Sequence, residues 1–150
     1  MKKICLLTIL LFGILMLKPT YAAGIGYVDY DKVIHNFQYA KHTMREIDLK
    51  NAEIRKYLQE KETEFSKLES PLQKKKFEEN VQEELKIKEQ ALADFRAKRE
   101  EIIYNKIHAV CEKIRLSKGY DAILDIRSVF SGGENITEIL IETLNNGNIR

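Results

Sequence analysis

The chain has 150 residues, 25 of them basic and 23 acidic, with a formal net charge of +2 and 44% hydrophobic residues. This length suits a single domain, and a charge so close to balance gives no electrostatic footprint for nucleic acid. Even the small positive excess belongs to the first residues.

Lys2 and Lys3 precede an apolar run from Ile4 to Leu17, followed by Lys18-Pro19 and Thr20-Tyr21-Ala22-Ala23. A basic start, an apolar stretch short for a bilayer span and small residues at the cut describe a secretory signal peptide, cleaved after Ala22. Residues 23–150 then keep 22 basic and 23 acidic side chains, a net of −1. Residues 41–118 carry +3 and the remainder, 23–40 with 119–150, carries −4. Cys111 is the one cysteine left after cleavage, so no intrachain disulfide forms. It reads as a small buried hydrophobe beside Val110 and Ile114 rather than as a reactive thiol.

Ile25-Gly26-Tyr27-Val28-Asp29 is short and apolar, as expected of a strand. Helical sequence starts near Asp31. A seam then recurs with gaps of four and three: Val33, Phe37, Ala40, Met44, Ile47, Asn51, Ile54, Leu58, Lys61, Phe65, Leu68 and Leu72. Ten of these twelve positions are apolar, and the mean spacing is that of a coiled coil. Asn51 and Lys61 interrupt the seam; a polar residue there can fix register, and the alternative is that these gaps mark where the arm faces water in a cavity.

Ser70-Pro71-Leu72-Gln73 combines a cap residue, a proline suited to the first helical position and a Gln completing a capping box. A second helix is predicted from Pro71 to Lys118, with the tip of a hairpin around 67–76. At 1.5 Å per residue the two helices reach about 60 and 70 Å. The returning seam is Phe77, Val81, Leu85, Lys88, Leu92, Phe95, Arg99, Ile103, Ile107, Val110 and Ile114. Its mean gap of 3.7 implies no long left-handed supercoil. Lys74-Lys75-Lys76 keeps an exposed tip soluble; the alternative is weak contact with a membrane surface or an acidic client.

Gly119 ends the helix. Tyr120 to Asp125 and Ile126 to Ser131 read as one or two strands, turning at Ser131-Gly132-Gly133. Asn135-Ile136-Thr137-Glu138 is a second capping box, opening a helix through Ile139, Leu140 and Leu144. Strand-like pieces about ninety residues apart share a sheet only if the chain between them goes out and comes back. The fold class is therefore α+β, mostly α: a long antiparallel helical coiled-coil hairpin (41–118) projecting from a small β-containing base (23–40 and 119–150). So small a base buries little alone, and oligomerisation would complete it.

No spacing supports catalysis. There is no phosphate loop, nucleophile pair or run of metal ligands, and His35 and His42 lie about 10 Å apart, too far to share a metal directly. No cofactor is expected, and the chain is not read as an enzyme.

Gly26-Tyr27-Val28-Asp29 behind the signal peptide, the charged hairpin, Gly119-Tyr120-Asp121 leading into Ile123-Leu124-Asp125, and Asn135-Ile136-Thr137 before the last helix together resemble the Skp/OmpH family of periplasmic chaperones. The resemblance covers residues 23–150. It implies a periplasmic homotrimer whose arms enclose a cavity and hold unfolded outer-membrane proteins without ATP. Phe65, Leu68, Phe77 and Val81 are then candidates to face the client, although each also suits plain interhelical packing. Tyr27, Val28, Ile123, Leu124 and Val129 are candidate subunit contacts. Family members often carry Pro or Gly where this chain has Asn36-Phe37-Gln38-Tyr39-Ala40, which leaves the kink between base and arm open. The competing reading is a structural coiled-coil protein of the envelope or a secretion apparatus, with a fixed partner.

Overall fold

The computed structural model describes residues 24–147; the signal-peptide segment lies outside them. In chain order come β1 (Gly24–Val28), α1 (Tyr30–Asn36), α2 (Gln38–Ser66), α3 (Pro71–Lys118), β2 (Tyr120–Asp125), a 3-10 turn (Ile126–Ser128), β3 (Glu134–Asn135) and α4 (Thr137–Asn146). The fold is mostly helical, with one small sheet in the order β2-β1-β3. Both pairings are parallel. Gly26, Tyr27 and Val28 face Ile123, Leu124 and Asp125 on one side, and Tyr27 faces Asn135 on the other.

Parallel pairing explains the unequal helices. Parallel strands need a crossover that returns the chain to the end where the first strand began. The returning helix must therefore run down the arm and past the whole base before β2 can start, and α3 has 48 residues against 29 in α2. Its last turns supply Ile103, Ile107, Val110 and Ile114 to the core. They meet Val33, Phe37, Ala40, Val28 and Tyr120, and Ile136, Leu140, Ile141 and Leu144 close the cluster. Gly119 then reverses the chain with a left-handed φ of 71°, its N–H donating to the Arg115 carbonyl.

The three short motifs of the sequence converge on this base. Asp29 caps α1 by accepting the Lys32 N–H at 2.9 Å. Its own N–H donates to Thr137 Oγ1 at 3.0 Å, and that hydroxyl donates to Asn135 Oδ1 at 2.6 Å. The Ile136 N–H donates to the Tyr27 carbonyl at 3.0 Å. The start of the chain and its last helix are thus tied by a chain of partly buried hydrogen bonds, in which each polar group has a partner.

Four local expectations need correction. The first helix is not continuous from Asp31: it breaks at Phe37, which is extended (φ −76°, ψ 114°), although neither Pro nor Gly is present. Ser70 stands at the cap of α3, but its side chain makes no capping bond, so initiation rests on Pro71 and the extended Ser70 backbone. Residues 126–131 are not a strand, because the Asp125 carboxylate accepts the Arg127 N–H at 2.9 Å and binds its guanidinium, turning the chain out of the sheet. Asn135 does not cap α4. It is spent in β3 opposite Tyr27, and its side chain accepts the Thr137 N–H in a local turn before the helix begins at Thr137.

Candidate functional site

Two surfaces stand out, the interior of the arm and the outer face of the sheet. In the arm, residues ascending α2 meet residues descending α3, so the helices run antiparallel. Arg99 Nη1 donates to the Tyr39 hydroxyl at 3.0 Å and Nη2 lies 3.2 Å from Glu46. Further out Arg96 donates to Asn51 Oδ1 at 3.0 Å, Tyr57 donates to Glu84 at 2.8 Å, and the Phe65 and Phe77 rings stand 6.1 Å apart. The seam keeps Ala40, Ile47, Asn51, Ile54, Lys61, Phe65 and Leu68 inward as expected and departs at two turns, where Thr43 and Tyr57 turn inward while Met44 and Leu58 are exposed.

What holds the helices together changes along the arm. Near the base, Ile103 and Ile107 are buried as in any core, and Leu92 is the outermost buried apolar residue of the described arm. On both sides of it the interface also carries aromatic rings under cations, Tyr57, Phe65 and Phe77 towards the tip and Phe95 and Tyr39 towards the base. Lys88 lies 4.8 Å from the Tyr57 ring centre, Arg99 and Lys50 lie 4.9 and 5.0 Å from Phe95, and Lys106 lies 5.1 Å from Tyr39. Lys74 lies 5.4 Å from Phe65, and Lys61 lies 5.7 Å from both Tyr57 and Phe77. Five rings are covered in this way, where about two cation–π pairs would be usual for a chain of this size. At exposed sites each is worth about 0.5–1 kcal/mol, and the neighbouring ion pairs about as little. The outer arm is therefore a set of weak, water-accessible contacts, and the polar seam positions Lys61, near the tip, and Arg99, nearer the base, lie over aromatic rings.

Of the predicted client-facing residues, Phe65, Phe77 and Val81 line one open groove near the tip, together with Leu58, Lys61 and Gln82. Its volume is about 310 Å³, enough for one or two large side chains. Leu68 is half-buried but lies outside that lining, in the turn, where its N–H donates to the Phe65 carbonyl.

The base candidates divide by face. Val28 is only 7% exposed and is committed to the core of its own chain, with Ile123 packed against that core. Register places Ile25, Tyr27, Ala122 and Leu124 on the opposite face. Tyr27 and Val129 are half-buried there, Leu124 is 36% exposed, and Ile25 and Ile126 are also open to solvent. Phe130, fully exposed, stands beside them on the loop before Gly132-Gly133. Ile25, Leu124, Val129 and Phe130 border a shallow hollow of about 300 Å³. Gly133 closes it with a φ of +90°; a Cβ there would sit 2.9 Å from the Ile25 carbonyl oxygen, which only glycine avoids. Sequence reasoning missed Phe130 and Ile25. The signal was an aromatic residue directly before a Ser-Gly-Gly turn, where chains normally place polar residues.

The family model described as outer membrane protein (OmpH-like) matches residues 24–144. The chain belongs to the OmpH-like family. No curated protein matches it closely enough for comparison. OmpH-like proteins are periplasmic and serve as chaperones in outer-membrane protein biogenesis, binding unfolded outer-membrane proteins, and that general role is the one this member inherits. They are not known as enzymes. Among the described residues of this OmpH-like chain, no group of His, Cys, Asp and Glu is arranged to hold a metal ion, and no helix is long and apolar enough to cross a membrane.

Cys111 is half-buried against the core, and burial, with the Glu112 carboxylate adding, pushes its thiol up to about 11. Two units above its ordinary value leave about 100-fold less thiolate near pH 8. Alkylation by iodoacetamide at pH 8 is therefore expected to be at least tenfold slower than that of a free cysteine, and to reach the ordinary rate once the chain is unfolded in urea. A native rate equal to the unfolded one would contradict the burial.

Proposed function

We propose that this chain is an ATP-independent holdase, exported by a signal peptide cleaved after Ala22 and active in the periplasm as a homotrimer. Three arms, each an antiparallel coiled-coil hairpin, would surround a cavity in which an unfolded outer-membrane protein is held. The observation that carries this reading is the construction of the outer arm. Its apolar and aromatic groups are half-buried under lysine and arginine side chains rather than sealed in a core. Such groups can be uncovered at the cost of weak contacts only, and offered to an unfolded chain while the surrounding charges keep the complex in solution. Phe65, Leu68, Phe77 and Val81 are the proposed client contacts. The proposed subunit contacts are Tyr27, Leu124 and Val129, joined by Ile25 and Phe130; Val28 and Ile123 face the chain's own core instead.

The test mixes residues 23–150 with an outer-membrane barrel protein diluted from urea, without nucleotide, and follows light scattering and complex mass. Suppressed aggregation in a soluble complex containing three copies is expected. A monomer that leaves aggregation unchanged would sink the proposal and favour a structural coiled coil with a fixed partner. In the same assay the Phe77→Ser/Val81→Ser variant is expected to keep its mass and helicity but lose most of the suppression. Full suppression by that variant would remove the tip groove from the client surface.

A further inference from the structure

The break at Phe37 leaves three N–H groups (Gln38, Tyr39, Ala40) and three carbonyls (Ile34, His35, Asn36) without the partners a continuous helix would give them; the two nearest the break are the ones taken up from elsewhere in the fold. In an unbroken helix the Gln38 N–H would donate to the Ile34 carbonyl, and the Asn36 carbonyl would accept from Ala40. An extended Phe37 removes both bonds, so α2 begins with an orphan donor and α1 ends with an orphan acceptor. Phe37 occupies the cap position of α2, yet its side chain carries no oxygen to satisfy them.

The Asn145 carboxamide, reaching in from α4, takes up the donor and the acceptor that flank Phe37. Its Oδ1 accepts the Gln38 N–H at 2.9 Å, and its Nδ2 donates to the Asn36 carbonyl at 3.0 Å. The two backbone partners determine which way the amide faces, since one can only donate and the other only accept. An aspartate would satisfy the first and repel the second. The clamp is referenced to the core, because Leu140, Ile141 and Leu144 of the same helix are buried in it.

The arm is joined to the base by two struts that differ. Helix α3 passes from arm to base without interruption, whereas the other strut, α1 to α2, is jointed at Phe37. A long helix bends gently under small loads, so the jointed strut decides how far the arm can swing. With α2 about 40 Å long, a rotation of 10° at the joint moves the tip by roughly 7 Å. We infer that Asn145 is a positioning residue: by capping α1 and α2 at once it locks the joint and braces the arm against the base. This holds whether or not the arm carries a client.

The test reads arm spread directly. In a Cys111→Ser background, spin labels are placed through Glu142→Cys on α4 and Lys75→Cys at the tip, and labelled chains are diluted into unlabelled ones so that only intrachain distances appear. N145A is expected to broaden the distance distribution about twofold as the joint samples a second state, while the melting temperature falls by only about 3–5 °C, the cost of a cap in a chain of this length. Gln38→Pro removes the clamped N–H but holds Phe37 extended and suits the first position of α2. The Q38P/N145A chain is therefore expected to return to the width of the unmodified protein. A distribution unchanged in N145A, or one left broad by Q38P, would overturn the inference. So would a Gln38 amide that exchanges with solvent at its intrinsic rate in the unmodified protein, a measurement independent of whether any variant folds.

Discussion

A Leu140→Ala chain is expected to lose about 3–5 kcal/mol of stability, the range for a fully buried leucine whose site cannot collapse. Leu140 has no exposed surface and stands among Val33, Ile136, Ile141 and Leu144, where α4 is fastened to the rest of the base. Domains of this size have only about 5–15 kcal/mol in total, and here the apolar burial is concentrated at one end of the molecule. Emptying this site therefore threatens the whole chain. Losing α4 would also release the Thr137 bond to Asp29 and the Asn145 clamp on the joint. Urea denaturation followed by circular dichroism measures the effect, with Leu72→Ala as control: Leu72 is 64% exposed at the start of α3, and its loss is expected to stay within about 0.5 kcal/mol. Equal midpoints for the two variants would show that the base does not hold the fold together.

The parts of this fold legible in the sequence are those governed by periodicity and by chain punctuation. Pro71 and Gly119 mark the ends of α3 because each acts locally, through a fixed φ or a left-handed one. The pairing of the two bracketing strands follows from their apolar character and from the length of chain between them. What could not be read are the features set by partners distant in sequence. The break at Phe37 has no local cause, and the Gln38 N–H and Asn36 carbonyl flanking it are satisfied by Asn145, more than a hundred residues away. Asn135 has the residue type and spacing of a helix cap, but a place beside Tyr27 in the sheet outcompetes that role. In the arm, a heptad pattern assigns Met44 and Leu58 to the seam, whereas cations over Tyr57 and Phe95 make Tyr57 an inward residue and draw lysines into positions where a coiled coil would want leucine. Apolar periodicity carries no information about cation–π pairs, so the outer arm was the part of the candidate site least open to prediction. Phe130 was overlooked because its exposure follows from the Asp125–Arg127 turn, which takes residues 126–131 out of the sheet.

Phe130→Asp is expected to turn the proposed homotrimer into a folded monomer. The ring is fully exposed in the single chain, and it borders an open apolar hollow with Ile25, Leu124 and Val129. Covering such a ring gains about 1.5–3 kcal/mol, whereas a carboxylate in the same place would have to be stripped of water without a partner. A loss of about 2 kcal/mol at each interface weakens that contact roughly 30-fold. In the proposed trimer, closed as a ring of three, the loss would be counted at every interface, and the assembly constant would fall by about 10⁴. The chain's own core does not include Phe130, so helicity should remain, which separates failed assembly from failed folding. Light scattering coupled to size exclusion at micromolar concentration reads the mass, with Leu72→Asp at the far end of the arm as a charge-matched control that is expected to stay assembled. The monomeric variant should also lose its hold on an unfolded barrel protein, because one arm presents its weak contacts singly while three present them at high effective concentration. A Phe130→Asp protein that keeps the mass of the parent would place the subunit interface elsewhere. A monomer that still suppresses aggregation fully would show that a single arm is sufficient and that no enclosed cavity is needed.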